Sequence, residues 1–253
     1  MTYAEKNDGY VTSSKLKEFM RCGFCYKAKY IDRLEDVMED RDCFTVGQAF
    51  DDLVTQGEGY YKKNYAVVKR RDKEAEVTEL TEGQGTLIRQ MEKEFRANPV
   101  YKQNPTKQVF TLDFAGLKLR GELDDVEPEK QMIRDVKTCA NVTTFRPESY
   151  IPQMAFYQFL IEEVTGVRCS AMLEVVDKYT YFSRSLPIQY TADTLFAERG
   201  RIIQAFENLK IAQETGIYLP SDDQKILYEC PFYGLITPEF PHGHGRPVEP
   251  LIY

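Results

Sequence analysis

Residues 119–137 read LRGELDDVEPEKQMIRDVK. The spacing predicts two strands around a turn at Glu127–Lys130, where Pro128 interrupts the run. Side chains on a strand alternate between faces. Asp135 and Lys137 therefore share one face, and Val136 takes the other. Asp124 shares its face with Glu122 and Val126. Asp125 shares the opposite, apolar face with Leu119, Gly121 and Leu123. Asp124 is thus the aspartate expected on the open face, and Asp125 is expected to act at the strand end or in the turn. If the two strands pair as a hairpin, Asp124 and Asp135 come close together.

The strand before this stretch is KQVFTLDF (107–114), joined to it by a tight turn at Ala115-Gly116. Outside the hairpin the pattern changes period. Ser13 or Ser14 is placed to cap a helix from Lys15 to about Arg33, with Leu16, Phe19 and Met20 on one stripe. Further helices are expected at Val46–Val54 and at Gly85–Phe95, the latter stopped by Pro99. The charged region 62–80 shows no clear period. IPQMAFYQFLIEEV (151–164) reads as a helix. Two strands follow in 167–188, split near Asp177-Lys178. A long helix opened by Thr191 or Asp193 runs to about Thr215, where Gly216 ends it. The last thirty residues are expected to be irregular. The order of helices, a β-meander, a helix, more strands and a closing helix predicts an α/β fold with a mixed sheet. We expect one domain over 1–253: a mainly helical portion (1–104), a sheet core (105–190) and a C-terminal helix with tail (191–253).

The chain has 253 residues, 42% of them apolar, with 17 Tyr, 15 Phe and no Trp. That is enough apolar mass for a sizeable core. The net charge of −7, from 33 basic and 40 acidic residues, gives no global push toward nucleic acid. A local positive groove remains compatible with it. No run of about 18 apolar residues is present, and the start lacks a signal-peptide pattern, so a cytoplasmic protein without a membrane partner is expected. The six cysteines should then be mostly reduced.

Two neighbouring carboxylates repel and need a counter-charge. A hard divalent ion supplies it, since Mg²⁺ takes one or two carboxylates plus waters and substrate phosphate. A lysine two residues beyond the second carboxylate is placed to orient a water or to stabilise charge building on phosphate oxygens. On this hairpin alone, a solvated edge strand explains the same residues.

The wider pattern resembles the PD-(D/E)XK nuclease superfamily, in its RecB-like branch with Cas4-like and phage recombination exonucleases. Five segments carry the resemblance in order: VTSSKLKEFMRCGFCYKAKY (11–30), VGQAFDDLV (46–54), GELDD (121–125), IRDVKT (133–138) and PQMAFYQFL (152–160). The resemblance implies a restriction-endonuclease-like α/β core, a mixed central sheet flanked by helices, with an N-terminal helical portion. It implies catalytic roles for Asp124, Asp135, Lys137, Gln153 and Tyr157. It implies a Mg²⁺ or Mn²⁺ site of one or two ions held by Asp51, Asp124, Asp135 and the Val136 carbonyl. Asp51, four residues after Gly47, stands where the branch usually has a histidine. Aspartate favours oxygen-liking metals there. Glu122 is a weaker candidate for a second ion. Lys15, Lys17, Arg21 and Arg146, with Gln153 and Tyr157, are candidates to contact DNA, and a plain solvated helix face is the alternative for the basic residues.

Some relatives in the branch hold an iron–sulphur cluster with one N-terminal and three C-terminal cysteines. Here Cys230 stands alone near the C-terminus, so no cluster is expected. A zinc site from Cys22, Cys25, Cys230 and one of His242 or His244 is the remaining cysteine-based option. Cys43, Cys139 and Cys169 read as small buried apolar residues. The function implied is a Mg²⁺- or Mn²⁺-dependent DNA exonuclease leaving 5′-phosphates in recombination, repair or phage DNA processing, in a bacterial or phage-infected cell. DNA is the expected partner, with a single-strand annealing or recombination protein and a homo-oligomer as further expectations. A Cas4-like end-trimming factor and a catalytically inactive DNA-binding or scaffolding domain of the same fold are the alternatives.

Overall fold

The computed structural model describes residues 8–34, 42–69, 77–178, 185–221 and 223, with the side chains of 42 and 43 outside that description. The expected irregular tail, Cys230, His242 and His244 lie outside the described residues, as do residues 70–76. The chain divides into two compact units, residues 1–13 with 39–204, and residues 14–38 with 205–253.

The first unit holds the sheet elements. Helix α3 (Asp42–Asn64) is kinked at Gly57, whose φ of +85° only glycine adopts without strain. It leads into β1 (Tyr65–Val68), which pairs in parallel with β2 (Thr78–Thr81). These two strands occupy the stretch whose period was unreadable. Helix α4 (Glu82–Ala97) starts at a reciprocal cap: Thr81 Oγ1 accepts from Gln84 N–H, and Gln84 Oε1 accepts from Thr81 N–H. Of its buried stripe of Gly85, Ile88, Met91 and Phe95, the last three pack with Phe50 and Leu53 of α3 and with Val136.

Strands β3 (Gln108–Phe114) and β4 (Leu117–Leu123) form the expected hairpin. Its turn residues Ala115 and Gly116 both have positive φ, +50° and +82°, which matches the twist of paired strands. The predicted single strand over Leu117–Val126 does not continue past Leu123. It breaks at Asp124, and β5 (Asp125–Glu127) joins a second sheet of order β5-β6-β7-β8. A side chain supplies the reason. The Asp124 carboxylate accepts the Val136 N–H at 2.8 Å, so a side chain stands where a strand carbonyl would.

In this second sheet, β6 (Met132–Cys139) is antiparallel to β5 and parallel to β7 (Ser170–Asp177). Strand β7 is buried along nearly its whole length, as expected for an inner strand covered on both faces. Strand β8 (Ser185–Tyr190) is an edge, which is why Pro187 is tolerated in it. Helix α5 (Ile151–Thr165) opens with Pro152 in its first turn and ends at Gly166, φ +74°. Every residue from Met154 to Ile161 is buried, so this helix is apolar around its circumference and lies inside the unit.

Gly121 is where α5 meets β4. A Cβ there would stand 2.8 Å from Leu160 Cδ2, 3.1 Å from Leu123 Cδ1 and 3.4 Å from Tyr157 Cδ1. Leu123 and Leu160 are fully buried and have nowhere to go. Gly121→Ala is therefore expected to cost about 1–3 kcal/mol of stability through overpacking. Urea unfolding checks it, and an unchanged midpoint would show that the helix can retreat.

In the second unit, the single helix expected over Lys15–Arg33 is interrupted. Helix α1 (Ser13–Arg21) stops at Cys22, which is extended at φ −164°, and whose Sγ accepts the Cys25 N–H to start α2 (Gly23–Tyr26). A wider π-type turn over Lys27–Ile31 follows. Close backbone approach explains the break: Phe24 N–H donates to Leu219 O, and a Cβ on Gly23 would lie 2.8 Å from that oxygen. The division between the units falls within α1 and within α6 (Ala192–Thr215), the closing helix, which ends at Gly216 as expected. Cys22, Cys139 and Cys169 are free thiols, and Cys25 is disulfide-bonded. A sulphur in a disulfide offers no thiolate, so in this state Cys25 is not a zinc ligand. Cys169 is buried as predicted, while Cys139 is only half-buried.

Candidate active site

Three carboxylates lie near enough to repel one another in the first unit, each delivered by a different element. Asp51 comes from α3, Asp124 from the break between β4 and β5, and Asp135 from β6. The β5–β6 ladder ends with Asp125 opposite Arg134, so Asp124 and Asp135 follow directly beyond its last pair. Lys137 sits two residues on. Its Nζ is 2.5 Å from Asp135 Oδ2 and 3.4 Å from the Val136 carbonyl oxygen. Gln153 Nε2 donates to Asp135 Oδ1 at 3.3 Å and to the Tyr157 hydroxyl at 3.1 Å. The Tyr157 hydroxyl donates in turn to the Glu122 carbonyl at 3.3 Å. The four-residue spacing of Gln153 and Tyr157 puts both on the face of α5 that looks at the carboxylates.

Asp124 and Asp125 part company at the strand break. Both are buried, but Asp125 Oδ1 accepts from Thr106 N–H, and its other oxygen lies 3.5 Å from Lys102 Nζ. It belongs to a separate charge cluster with Glu127, Arg134 and Glu174. The Glu122 carboxylate pairs with Arg120. Arg146 is exposed in the loop before α5. Lys15, Lys17 and Arg21 lie on α1 in the other unit, where Arg21 pairs with Glu18 and Lys15 Nζ stands over the Tyr30 ring.

One site residue escaped the sequence reading. Lys107, just before β3, points its ammonium at Asp51 Oδ2, 2.6 Å away, and lies 3.7 Å from Asp52 Oδ1. Asp52 is also held by the Tyr65 hydroxyl at 2.6 Å and by Gln48. Lys107 and Asp51 are far apart in sequence, and nothing in the local pattern of KQVFTLDF marks its first residue as a site group.

The electrostatics follow from crowding like charges in a buried place. Burial, then the neighbouring Asp124, pushes Asp51 up to about 7 despite Lys107. Burial and Asp135 push Asp124 above the ordinary carboxylate range. Burial raises Asp135 as well, with Lys137 pulling the other way. Burial works against the Lys137 ammonium, but Asp135 and Asp124 hold its proton and raise it overall. Lys107 behaves likewise beside Asp51 and Asp124.

The family model for a PDDEXK-like domain of unknown function (DUF3799) matches residues 12–216. The chain belongs to this PDDEXK-like family. That span includes every residue of the cluster just described. A solved structure from Eubacterium rectale, provisionally named an exonuclease, superposes with a TM-score of 0.70 at 17% identity, covering 97% of this chain and 93% of its own. At that identity the likeness establishes the fold, a PDDEXK-like α/β architecture, as the sequence predicted. Another solved structure, SSO0001, gives a TM-score of 0.43 at 12% identity over 91% of this chain and 86% of its own, too distant to bear on the matter. No curated protein matches the sequence.

PDDEXK-like proteins imply a divalent metal, and the residues here can be tested for fit. Among the described residues no three His, Cys, Asp or Glu side chains converge closely enough to enclose an ion as they stand. The two ammoniums act as counter-ions instead. Yet Asp51 Oδ1 is buried without a hydrogen bond, a costly state for a carboxylate oxygen. The donors are all oxygen, and the carboxylates outnumber the lysines. In donor type and charge this set fits a hard divalent cation such as Mg²⁺ or Mn²⁺.

Proposed function

We infer that this chain is a metal-dependent deoxyribonuclease, an exonuclease that hydrolyses DNA phosphodiesters and leaves 5′-phosphates. The observation that supports it is the grouping of Asp51, Asp124 and Asp135 around Lys137 in one largely buried cluster, with an oxygen of Asp51 left unbonded. Asp51, Asp124, Asp135 and the Val136 carbonyl would hold the ion. When bound, it supplies Lewis-acid polarisation of the phosphodiester and lowers the pKa of water.

The chain's own groups do the rest. Lys137 donates hydrogen bonds to the attacking water and to charge growing on the phosphate oxygens. Gln153 fixes the orientation of Asp135 through its second oxygen and ties it to Tyr157. Tyr157 keeps its proton, because burial raises it, and anchors this pair to the β4 backbone. Asp124, by accepting the Val136 N–H, sets the height of β6 and so of Asp135 and Lys137.

Digestion of end-labelled linear DNA and of closed circular DNA with Mg²⁺ tests this. The linear form is expected to be degraded to 5′-phosphorylated products, the circular form to survive, and EDTA to stop the reaction. Cutting of the circle would keep the nuclease but remove the exonuclease assignment. No cleavage in Mg²⁺ or Mn²⁺ would remove both. Such an activity belongs to DNA recombination or repair, including that of phages, where a single-strand annealing or recombination protein is the natural partner. Among the described residues no helix is long and apolar enough to cross a membrane.

A further inference from the structure

A groove of about 610 Å³ opens beside the carboxylates. Asp51 and Lys137 line it, and so do four residues with no part in the chemistry above: Phe44, Thr45, Thr138 and Lys178. Thr138 and Lys178 stand at the carboxyl ends of the parallel strands β6 and β7. The crevice beyond such strand ends is where α/β sheets take ligands. Phe44 and Thr45 come from the first turn of α3, the end of a helix that favours anions. Gly47 lets these parts meet. A Cβ there would lie 3.0 Å from Thr138 Oγ1 and 3.7 Å from Lys178 Nζ.

Two of these residues have opposite exposures. Lys178 is buried, with 9% of its surface open, so its ammonium is held in place rather than swinging in solvent. Phe44 is 60% exposed, a large apolar ring turned to water at the mouth of a charged groove. A fixed cation with a hydroxyl suits a phosphate, and an exposed ring suits the face of a base. The groove has the volume of a small-ligand pocket, which suits a single nucleotide unit. A ring can stack only on a base face that is not already covered within a helix.

We propose that this groove binds the unpaired nucleotide next to the scissile phosphate of a single DNA strand, its phosphate on Lys178 and Thr138 and its base on Phe44. This deepens the nuclease reading and rests on it. The substrate end must then be frayed or single-stranded before it is cut.

Fluorescence anisotropy of a labelled twelve-residue oligothymidylate tests it, with Ca²⁺ in place of Mg²⁺ to slow turnover. An abasic strand of equal length serves as the second probe. Phe44→Ala is expected to weaken oligothymidylate binding about 5- to 100-fold and abasic binding less than about twofold. Lys178→Met is expected to weaken both strands alike and to lower the salt dependence by about one ion, with Lys178→Arg restoring most of the affinity. Phe44 is exposed, so its variant folds and decides the matter even if Lys178→Met does not. Wild-type affinity of Phe44→Ala for both strands, in a protein that binds and cleaves DNA, would overturn this proposal and leave the nuclease standing. A wild-type chain that neither binds nor cleaves DNA would overturn both.

Discussion

Lys137→Met is expected to lower the single-turnover rate of DNA hydrolysis by about 10²–10³-fold, the usual loss when one charge-stabilising donor is removed from a reacting centre. DNA affinity should change far less, because one phosphate contact among many is lost. The geometry explains why this lysine is placed for the task. It extends from β6 beside Asp135, its ammonium is held by two carboxylates, and that ammonium stands 5.9 Å from the centroid of the Tyr150 ring. Removing it also leaves Asp124 and Asp135 with less compensation, so the melting temperature should be compared in the presence of the divalent ion. A variant that cleaves at the wild-type rate would take Lys137 out of the chemistry and leave it as a counter-ion.

Arg134→Met is expected to cost about 3–5 kcal/mol of stability, because it strands the buried carboxylate of Glu174, while Glu127 keeps Lys102 and Lys130. Arg134 neighbours Asp135 but faces the other side of β6. Its Nε donates to Glu127 Oε1 at 2.9 Å and its Nη1 to Glu174 Oε1 at 2.7 Å. Glu174 is fully buried and Glu127 nearly so. Lys102 supports both, through its backbone N–H to Glu174 and its ammonium to Glu127, but among the described residues only Arg134 joins the two carboxylates through one charged group. Urea unfolding measures the loss. The double variant Arg134→Met with Glu174→Gln should regain part of it, since the uncompensated charge has gone. A loss below about 1 kcal/mol would mean that water reaches Glu174 when the guanidinium is absent.

The sequence carried much of this site because its parts follow local rules. Strand alternation places Asp135 and Lys137 together whatever the rest of the fold does, and helical spacing does the same for Gln153 and Tyr157. The split of Asp124 from Asp125 was legible as a direction, though its cause was not. Alternation presumed one strand through Val126, whereas the chain leaves its first sheet at Asp124 and enters another. That break depends on a hydrogen bond to Val136, a partner outside any local window. The same limit hid Lys107, whose meaning lies in Asp51 on a distant helix. It hid the interruption at Cys22 too, since helix propensity runs straight through MRCGFCY and only the approach of Leu219 to Gly23 argues otherwise. Strands β1 and β2 are short and parallel, and four-residue strands leave too little alternation to read.

The most direct test of the account is the rate at which Asp135→Asn hydrolyses linear DNA in Mg²⁺, measured beside the wild type on the same substrate. Asparagine keeps the size and the Gln153 contact but removes the charge that would hold the ion and oppose Lys137. The wild-type chain is expected to degrade the DNA, and the variant to run at least about 10³-fold slower. Equal rates would place the chemistry away from this carboxylate cluster.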